Sequence, residues 1–218
     1  MADFDPGTGL GPRLRLVRAS RQLSVRELAR RVGCSASLIS QIERGVSVPS
    51  VGVLYSLATE LGSSLDYLLF GSGAAPDGVS AETPAADSAP AVTPEPRPAA
   101  PPPAIVQRGR DRRIIDLASG VRWERLTPQP EAMTDFLEVI YSPGGHSTDE
   151  RRPLRHDGRE YGLIISGTLQ ANVGFESYEL GPGDSIAFDS STPHEYLNKT
   201  GDYVHAISVV VHSEPGRA

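Results

Sequence analysis

The sequence GCSASLISQIERGVSVPS occupies residues 33–50 and decides the fold of the N-terminal part of the chain. Ser35 is suited to cap a helix, because its hydroxyl can accept a backbone N–H group of the first turn. Three apolar residues at helical spacing predict a buried back for this helix: Leu38, Ile39 and Ile42. Gly45 then ends the helix, and Pro49 with Ser50 begins the next one.

The other side of this helix carries short hydrogen-bonding side chains and one cation. They are Ser37, Ser40, Gln41 and Arg44. A helix with an apolar back and a front of short polar side chains can enter the major groove of DNA. An ordinary surface helix shows the same pattern, so the flanking residues have to decide between the two interpretations.

Length and charge narrow the class of protein. The chain has 218 residues, enough for one large domain or two small ones, and a net charge of −6. Up to Phe70, however, eight arginines stand against six acidic residues, which is compatible with phosphate binding there. No apolar run approaches the ~18 residues of a membrane span, and we expect neither a signal peptide nor a membrane contact. Cys34 is the one cysteine, which fits the cytoplasm.

Four further helices are predicted around the helix that follows Ser35. One covers residues 12–23, and another begins at Ser24, which has the S-x-x-E spacing of a capping box to Glu27. That second helix has a complete apolar stripe, made of Val25, Leu28, Ala29 and Val32. A fourth helix is marked by apolar residues at 54–61, and Ser63 caps a short fifth. Five short helices predict a bundle of about 60 residues, large enough to fold.

Residues 12–70 resemble the lambda-repressor-like, Xre-type helix-turn-helix domain. The L-A-x-x-x-G turn up to Gly33, the I-x-x-I-E-x-G sequence up to Gly45 and the P-S pair all have the spacing of that family. In such domains the second helix crosses the DNA backbone and the third enters the major groove. One departure is Val25, which stands where many relatives have a glutamine that contacts the backbone.

The resemblance implies double-stranded DNA as a partner and gives roles to residues by position. Four side chains would face base edges: Ala36, Ser37, Ser40 and Gln41. Three would approach phosphates: Arg26, Ser35 and Arg44. Arg18 and Glu43 match a pair that joins the first helix to the recognition helix in relatives. Because only Gln41 can bind adenine bidentately, we expect part of the specificity to come from the Ala36 methyl group and from DNA shape.

Residues 71–104 have the composition of a disordered linker. They consist almost entirely of alanine, proline, glycine, serine, threonine and acidic residues. Such a segment has too little apolar bulk to offset the entropy of ordering. We therefore expect a flexible connection between the helical domain and the remainder, which argues against rigid transmission between them.

From residue 105 to residue 212 the pattern changes to short segments with alternating apolar residues. Eight candidate strands follow one another: 114–117, 121–126, 136–141, 161–165, 168–173, 177–180, 185–189 and 203–211. Glycine and proline turns separate them, which predicts an all-β sandwich or barrel of about 110 residues. Two stretches, HDGREYGLIISGTL and LGPGDSIAFDSSTPHEYLN, resemble the two motifs of the cupin fold, a small jelly-roll barrel. The first motif has Leu154 where cupins usually have a histidine.

The resemblance to cupins implies a site inside the barrel. His156, Glu160 and His194 match metal-ligand positions, and two imidazoles with one carboxylate form the facial triad of non-haem iron sites. Whether a divalent metal (Fe, Mn, Zn or Ni) is bound stays open at this stage, because many cupin regulators hold an organic ligand there without metal. An organic ligand would be small, with a polar group and an apolar body. By strand alternation, Tyr196 and Asn198 share a face with His194. The pocket is expected to be lined by Ile164, Phe188, Tyr196 and Asn198.

These features predict a multidomain protein with an all-α five-helix DNA-binding domain (12–70), a linker (71–104) and an all-β cupin domain (105–212). We expect a cytoplasmic bacterial transcriptional regulator, similar to the Xre–cupin regulators, that senses a small molecule, forms a homodimer and has no enzyme activity. The alternative is a non-haem iron-dependent cupin epoxidase or oxygenase that carries a helix-turn-helix domain, and an antitoxin-like or scaffold protein is a third. The effector, the operator and the direction of regulation do not follow from the sequence.

Overall fold

The computed structural model describes residues 9–71, 105–131, 133–148 and 153–212. Five helices come first: α1 (Leu10–Ser20), α2 (Val25–Val32), α3 (Ala36–Glu43), α4 (Val51–Leu61) and α5 (Leu65–Phe70). Nine strands follow: β1 (Ile114–Leu117), β2 (Val121–Arg125), β3 (Thr134–Tyr141), β4 (Arg159–Ser166), β5 (Leu169–Val173), β6 (Glu176–Leu180), β7 (Ser185–Asp189), β8 (His194–Leu197) and β9 (Val204–Val211). The predicted linker lies outside the described residues, apart from Gly71. Within the described ranges, no helix combines the length and the apolar character that a membrane crossing requires.

Serine side chains cap four of the five helices. Each accepts a backbone N–H from three residues further on, as at Ser35, whose hydroxyl oxygen lies 3.1 Å from the nitrogen of Leu38. Gly33 ends α2 at a φ of 78°, a conformation that glycine adopts without the steric cost of a Cβ atom. The apolar faces meet in a core with fully buried side chains, among them Leu14, Leu28, Ile39, Leu54, Leu57 and Leu68.

Two predicted helix boundaries in this domain are wrong. The predicted helix 12–23 ends earlier, because the backbone turns at Gln22, whose φ is +56°. The cap of α5 is Ser64 and not Ser63, since the Ser64 hydroxyl accepts the N–H of Tyr67 at 3.1 Å. Adjacent serines are equally good caps in a sequence, and only the backbone path decides between them.

The strands form two antiparallel sheets around a common core, which confirms the predicted all-β class. One sheet has the order β1-β2-β3-β9-β4-β7 and the other the order β6-β5-β8. The last strand, β9, lies between β3 and β4 and so joins elements that are far apart in the chain. Trp123, Ile164 and Leu169, which come from both sheets, are at most 5% exposed in the interior.

Sequence reasoning missed strand β8, which has only four residues and directly follows Pro193. It pairs with β5 in the smaller sheet. Its first residue, His194, also exchanges two backbone hydrogen bonds with Leu154, with N···O distances of 2.7 and 3.0 Å. This bridge brings the segment before β4 against β8, and the candidate site depends on it.

The helical domain packs directly on the barrel, a contact that the expected flexible linker did not indicate. The backbone N–H of Gly52, in the first turn of α4, donates to the carbonyl of Ser147 at 3.1 Å. A buried ion pair joins Asp66 of α5 to Arg125 of β2, with an N···O distance of 2.9 Å. Buried apolar side chains of the two domains form one continuous cluster.

Candidate functional site

Helix α3 carries most of the residues that are predicted to contact DNA. Its back is buried, since Ile39 and Ile42 are at most 1% exposed. The exposed residues are Ser35, Ser37 and Arg44, and the half-buried ones are Ala36, Ser40 and Gln41. The helical repeat therefore brings the four predicted base-facing residues to one side of α3, although Ala36 also packs partly against the core.

Helix α1 holds α3 in its orientation. The guanidinium of Arg18 contacts both carboxylate oxygens of Glu43, Nε to Oε1 at 2.5 Å and Nη2 to Oε2 at 2.9 Å. This hydrogen-bonded contact raises the pKa of Arg18. A Cβ atom on Gly11 would lie only 2.5 Å from the carbonyl oxygen of Ile42, so glycine is required for the close approach of α1 to α3.

The arginines of helix α2 differ in their ion pairs. Glu27 pairs with Arg30 at 2.7 Å and with Arg31 at 2.8 Å, and these hydrogen bonds lower the pKa of Glu27 to about 2. Arg26 is exposed and has no hydrogen-bond or ion-pair partner among the described residues. Its charge is therefore available for a phosphate group. Within the described ranges, the one hydrogen bond of the Arg44 side chain joins its Nε to the carbonyl of Ser40 at 3.2 Å.

The barrel brings together the three candidate metal ligands. Glu160 lies on β4, His194 on β8, and His156 in the segment that the bridge to β8 holds in place. Oε2 of Glu160 is 3.5 Å from Nε2 of each histidine, and the candidate ligand atoms all lie within 4.8 Å of one another. All three side chains are buried. The structure thus assembles the triad that the motif resemblance implied.

Hydrogen bonds outside the cluster orient two of its members. The hydroxyl of Tyr196 donates to Oε1 of Glu160 at 2.8 Å. The other carboxylate oxygen, Oε2, is the one that faces the two histidines. Nδ1 of His194 lies 2.8 Å from the carbonyl oxygen of Thr192, so Nδ1 donates and Nε2 presents a lone pair to the cluster. Burial lowers the pKa of His194 and so favours the neutral ring that a metal ligand requires.

The cluster fits a divalent metal ion. Both ring nitrogens of His156 and Nε2 of His194 are buried and have no hydrogen-bond partner within the described parts of the chain. Such orphaned buried nitrogens are rare unless an ion or another group binds them. Bonds of about 2.1 Å in tetrahedral or octahedral geometry separate ligand atoms by roughly 3.0–3.4 Å, close to the 3.5 Å that Glu160 Oε2 shows. Leu154 stands where cupins usually have a further histidine, so this position offers an apolar side chain and no metal ligand.

A cavity of about 40 Å³ adjoins the cluster, and Glu160 is part of its wall. Two of the predicted pocket residues, Ile164 and Tyr196, also line it. Phe188 contacts the cluster itself, because its ring meets the ring of His194 edge-on with centroids 4.9 Å apart. Three of the four predicted pocket residues therefore lie at the cavity or at the triad.

The expectation that Asn198 lines this pocket is wrong. Its side-chain amide donates to the carbonyl oxygens of Tyr141, Ser142 and Asp202 at distances of 2.7–3.1 Å. Its side-chain oxygen accepts the N–H of Thr200 at 2.9 Å. Asn198 thus holds turns together at the end of the barrel, and the residue alternation that predicted an inward side chain ends with β8 at Leu197.

Sequence reasoning also missed that the helical domain contributes to the cavity. Val51 and Tyr55 of α4 line it, beside Trp123 of β2. A signal was present, because Val51 and Tyr55 lie one turn apart and add a second apolar stripe to α4. A helix that is apolar nearly all round is typically buried on two sides.

Two family models match the chain in agreement with this architecture. Residues 14–68 match a helix-turn-helix family, and residues 137–210 match the cupin domain family. The chain thus carries a helix-turn-helix domain followed by a cupin domain, as the two resemblances predict, and this combination supports a DNA-binding transcriptional regulator.

Known proteins of similar length align with nearly the whole chain. The HTH-type transcriptional regulator PuuR of Escherichia coli (strain K12) is 26% identical over 206 residues, which cover 94% of this chain and 95% of PuuR. An HTH_3 family transcriptional regulator from Vibrio cholerae shares the fold over 96% of this chain and 98% of its own, with a TM-score of 0.61 and 20% identity. Hydroxypropylphosphonic acid epoxidase from S. wedmorenis aligns over 94% of this chain and 98% of its own at 18% identity, but its TM-score of 0.42 is too low to argue for an enzyme.

Proposed function

We propose that this regulator binds its DNA operator as a homodimer and that its barrel senses a small molecule at a site containing a divalent metal. One combination of features carries the proposal. A single chain has a rigidly held helix with an exposed polar side and, in the barrel, buried histidine nitrogens without partners among the described residues. The first feature suits DNA and the second suits a ligand.

DNA recognition is assigned to α3 and its neighbours. The side chains that read base edges are Ala36, Ser37, Ser40 and Gln41, and those that approach phosphates are Arg26, Ser35 and Arg44. The partly buried ion pair of Arg18 and Glu43 supports this assignment, because a recognition helix must keep its angle in the groove. Gln41 supplies the bidentate contact to adenine, and the small side chains leave the remaining specificity to DNA shape.

The metal would be held by His156, Glu160 and His194. A bound divalent ion supplies open coordination positions to which an oxygen or nitrogen atom of an effector can bind. Tyr196 keeps the Glu160 carboxylate in place through its hydrogen bond, and burial raises the pKa of this tyrosine, so that it remains a donor. The surrounding Ile164 and Leu169 would contact the apolar body of the effector.

A second copy of the chain is proposed to cover the outer face of the larger sheet. This face exposes apolar side chains from β3, β4 and β9: Phe136, Tyr161, Leu163, Ile165 and Val211. Phe136 lies opposite Val209, which in turn lies opposite Tyr161, so the apolar row crosses three strands. A contiguous exposed apolar patch of this kind favours association, and a two-fold dimer would place two recognition helices about 34 Å apart.

An enzyme remains the second candidate, because two histidines and one carboxylate are also the ligands of non-haem iron oxygenases. Aerobic purification followed by metal analysis separates the two functions. A regulator is expected to show no oxygen consumption, whatever metal it holds. Stoichiometric iron together with oxygen consumption, both lost in the His156→Ala variant, would favour the oxygenase or epoxidase.

The regulator function can be tested by selecting duplexes from a random DNA pool with the purified chain. We expect enrichment of a palindrome whose half-sites lie about one helical turn apart. Arg26→Ala should weaken binding, whereas Arg30→Ala is the matched control on the same helix, because Arg30 is already paired with Glu27. A pool without any enriched sequence, or equal effects of the two arginine variants, would contradict the assignment.

A further inference from the structure

Tyr55 is a residue of the helical domain, but its ring stacks on His156, one of the three candidate metal ligands of the barrel. It is 7% exposed and stacks on the ring of His156, with centroids 4.2 Å apart and an angle of 7° between the planes. On another side it meets the ring of Trp123 edge-on, at 5.8 Å. With Val51 it completes the wall of the cavity that Glu160 also lines. The DNA-binding domain therefore supplies part of the wall of this cavity.

The first turn of α4 holds Tyr55 in this position. Gly52 donates its backbone N–H to the carbonyl of Ser147, and Pro49 accepts the N–H of Ala118 at 3.2 Å. A Cβ atom on Gly52 would be in van der Waals contact with Leu154, at 3.4 Å, so a long side chain such as arginine is expected to push the two domains apart. Helix α4 thus contacts the ligand-bearing segment twice, at Leu154 and at His156.

The cavity is much smaller than the usual site for an organic ligand. Its volume is about 40 Å³, which is enough for an ion and a few water molecules. Sites for organic ligands usually have volumes of about 300–1,000 Å³. Withdrawal of α4, which carries Val51 and Tyr55 of the cavity wall, would provide the space that a ligand of that class needs.

We propose that the helical domain is the lid of the barrel site and competes with the effector for it. The effector class is a small organic molecule that ligates the metal through oxygen or nitrogen and has an apolar body in place of the Tyr55 ring. Its binding displaces α4 and releases the DNA-binding domain from the barrel. The competition rests on the proposed sensing function, whereas the closure by Tyr55 does not. Coupling of this kind is reciprocal, so weaker docking of the lid must strengthen ligand binding.

Chemical modification of the metal-free protein tests the closure. Diethyl pyrocarbonate carbethoxylates accessible imidazole nitrogens, and peptide mass spectrometry gives the rate at each histidine. We expect His194 to react about tenfold faster, or more, in the Tyr55→Ala and Gly52→Arg variants than in the unmodified chain. Tyr55→Phe keeps the ring and should react like the parent protein. His205, whose side chain is 37% exposed on the barrel, is the internal reference and should not change.

Gly52→Arg keeps the inference testable if Tyr55→Ala fails to fold, because it removes no side chain from the helical core. Helix content by circular dichroism identifies a variant that has unfolded. Equal His194 rates in the parent protein and in folded Gly52→Arg would overturn the closure. A faster His194 rate in Tyr55→Ala alone would also overturn it, because the arginine side chain of Gly52→Arg must separate α4 from the barrel and expose the same histidine.

A second experiment tests the competition with a defined probe. The chain is loaded with Co²⁺, and imidazole is titrated while the visible absorption of the cobalt is recorded. Imidazole should bind about tenfold more tightly to Gly52→Arg than to the parent chain. In the parent chain its binding should shift the fluorescence of Trp123, which loses its contact with Tyr55. Equal imidazole affinities of the two chains would overturn the competition. A chain that binds no Co²⁺ would refute the metal site of the proposed function. The closure by Tyr55 would then be tested by the diethyl pyrocarbonate rates alone.

Discussion

Removal of the Asp66 carboxylate is expected to destabilise the protein by about 3 kcal/mol. Oδ1 of Asp66 lies 2.9 Å from Nη1 of Arg125, and both side chains are less than one tenth exposed. In the Asp66→Ala variant the guanidinium stays buried without its counter-charge, and breaking a buried pair costs about 3–5 kcal/mol. We expect the lower end of this range, because the ring of Phe70, 5.2 Å from the guanidinium carbon, continues to stabilise the cation.

The chain offers a matched control in the pair of Asp116 and Arg122. The residue types are the same and the N···O distance is 2.7 Å, but the side chains are 69% and 46% exposed. Exposed ion pairs contribute about 0–1 kcal/mol, since water already solvates both charges. Asp116→Ala should therefore lower the free energy of unfolding by less than about 1 kcal/mol. The difference between the losses in the two variants measures how much burial adds to the cost of breaking an ion pair.

Urea unfolding followed by the fluorescence of Trp123 measures both variants, because this tryptophan is the only one in the chain. Replacing the whole pair, in Asp66→Ala combined with Arg125→Met, should recover most of the loss, because no charge then remains buried. Equal losses for Asp66→Ala and Asp116→Ala would refute the reasoning. They would mean that Asp66 and Arg125 are solvated in solution and that the two domains do not dock through this pair.

Three further predictions concern DNA recognition and pH. Gln41→Ala should cost about 1–3 kcal/mol on the selected operator and relax the preference at one base position, as measured by fluorescence anisotropy. Arg44→Ala should instead weaken binding to all sequences alike and reduce the salt slope by about one, and a selective effect would contradict a phosphate contact. A hydrogen bond to Asp135, with a smaller effect of Asp157, raises the pKa of His212 above its usual 6.5. The charged ring therefore stabilises the fold below pH 6.5, and this contribution is lost as the pH rises through the raised pKa. His212→Gln should remove that part of the pH dependence of thermal unfolding, and an unchanged profile would contradict it.

The helical domain could be predicted largely from the sequence, because its signals act over a few residues. Ser35 caps α3 through a group three residues away, and Gly33 ends α2 by its own backbone conformation. The strand β8 could not be recognised in this way, since its four residues become a strand through pairing with β5. For the same reason the candidate metal triad was found from motif resemblance and not from local periodicity.

Two residues, Asn198 and Tyr55, have contacts that could not be predicted from the sequence. Alternation along the chain predicted that Asn198 points into the barrel, but hydrogen bonds to three backbone carbonyls hold it at the turns. Tyr55 was part of a recognisable apolar stripe, yet nothing within α4 indicates which surface covers that stripe. Both results depend on contacts between segments that are far apart in the chain.

The sequence by itself determined two domains of different class, the recognition helix, and the two histidines and one glutamate that could bind a metal. These properties follow from helix caps, apolar periods and motif spacing, all of which act locally. Only the tertiary structure decided that the triad assembles around Glu160 and that Tyr55 of the DNA-binding domain stacks on His156. The physical reason is that a buried side chain is covered by whichever partner surface matches it, and that match exists only after both domains have folded.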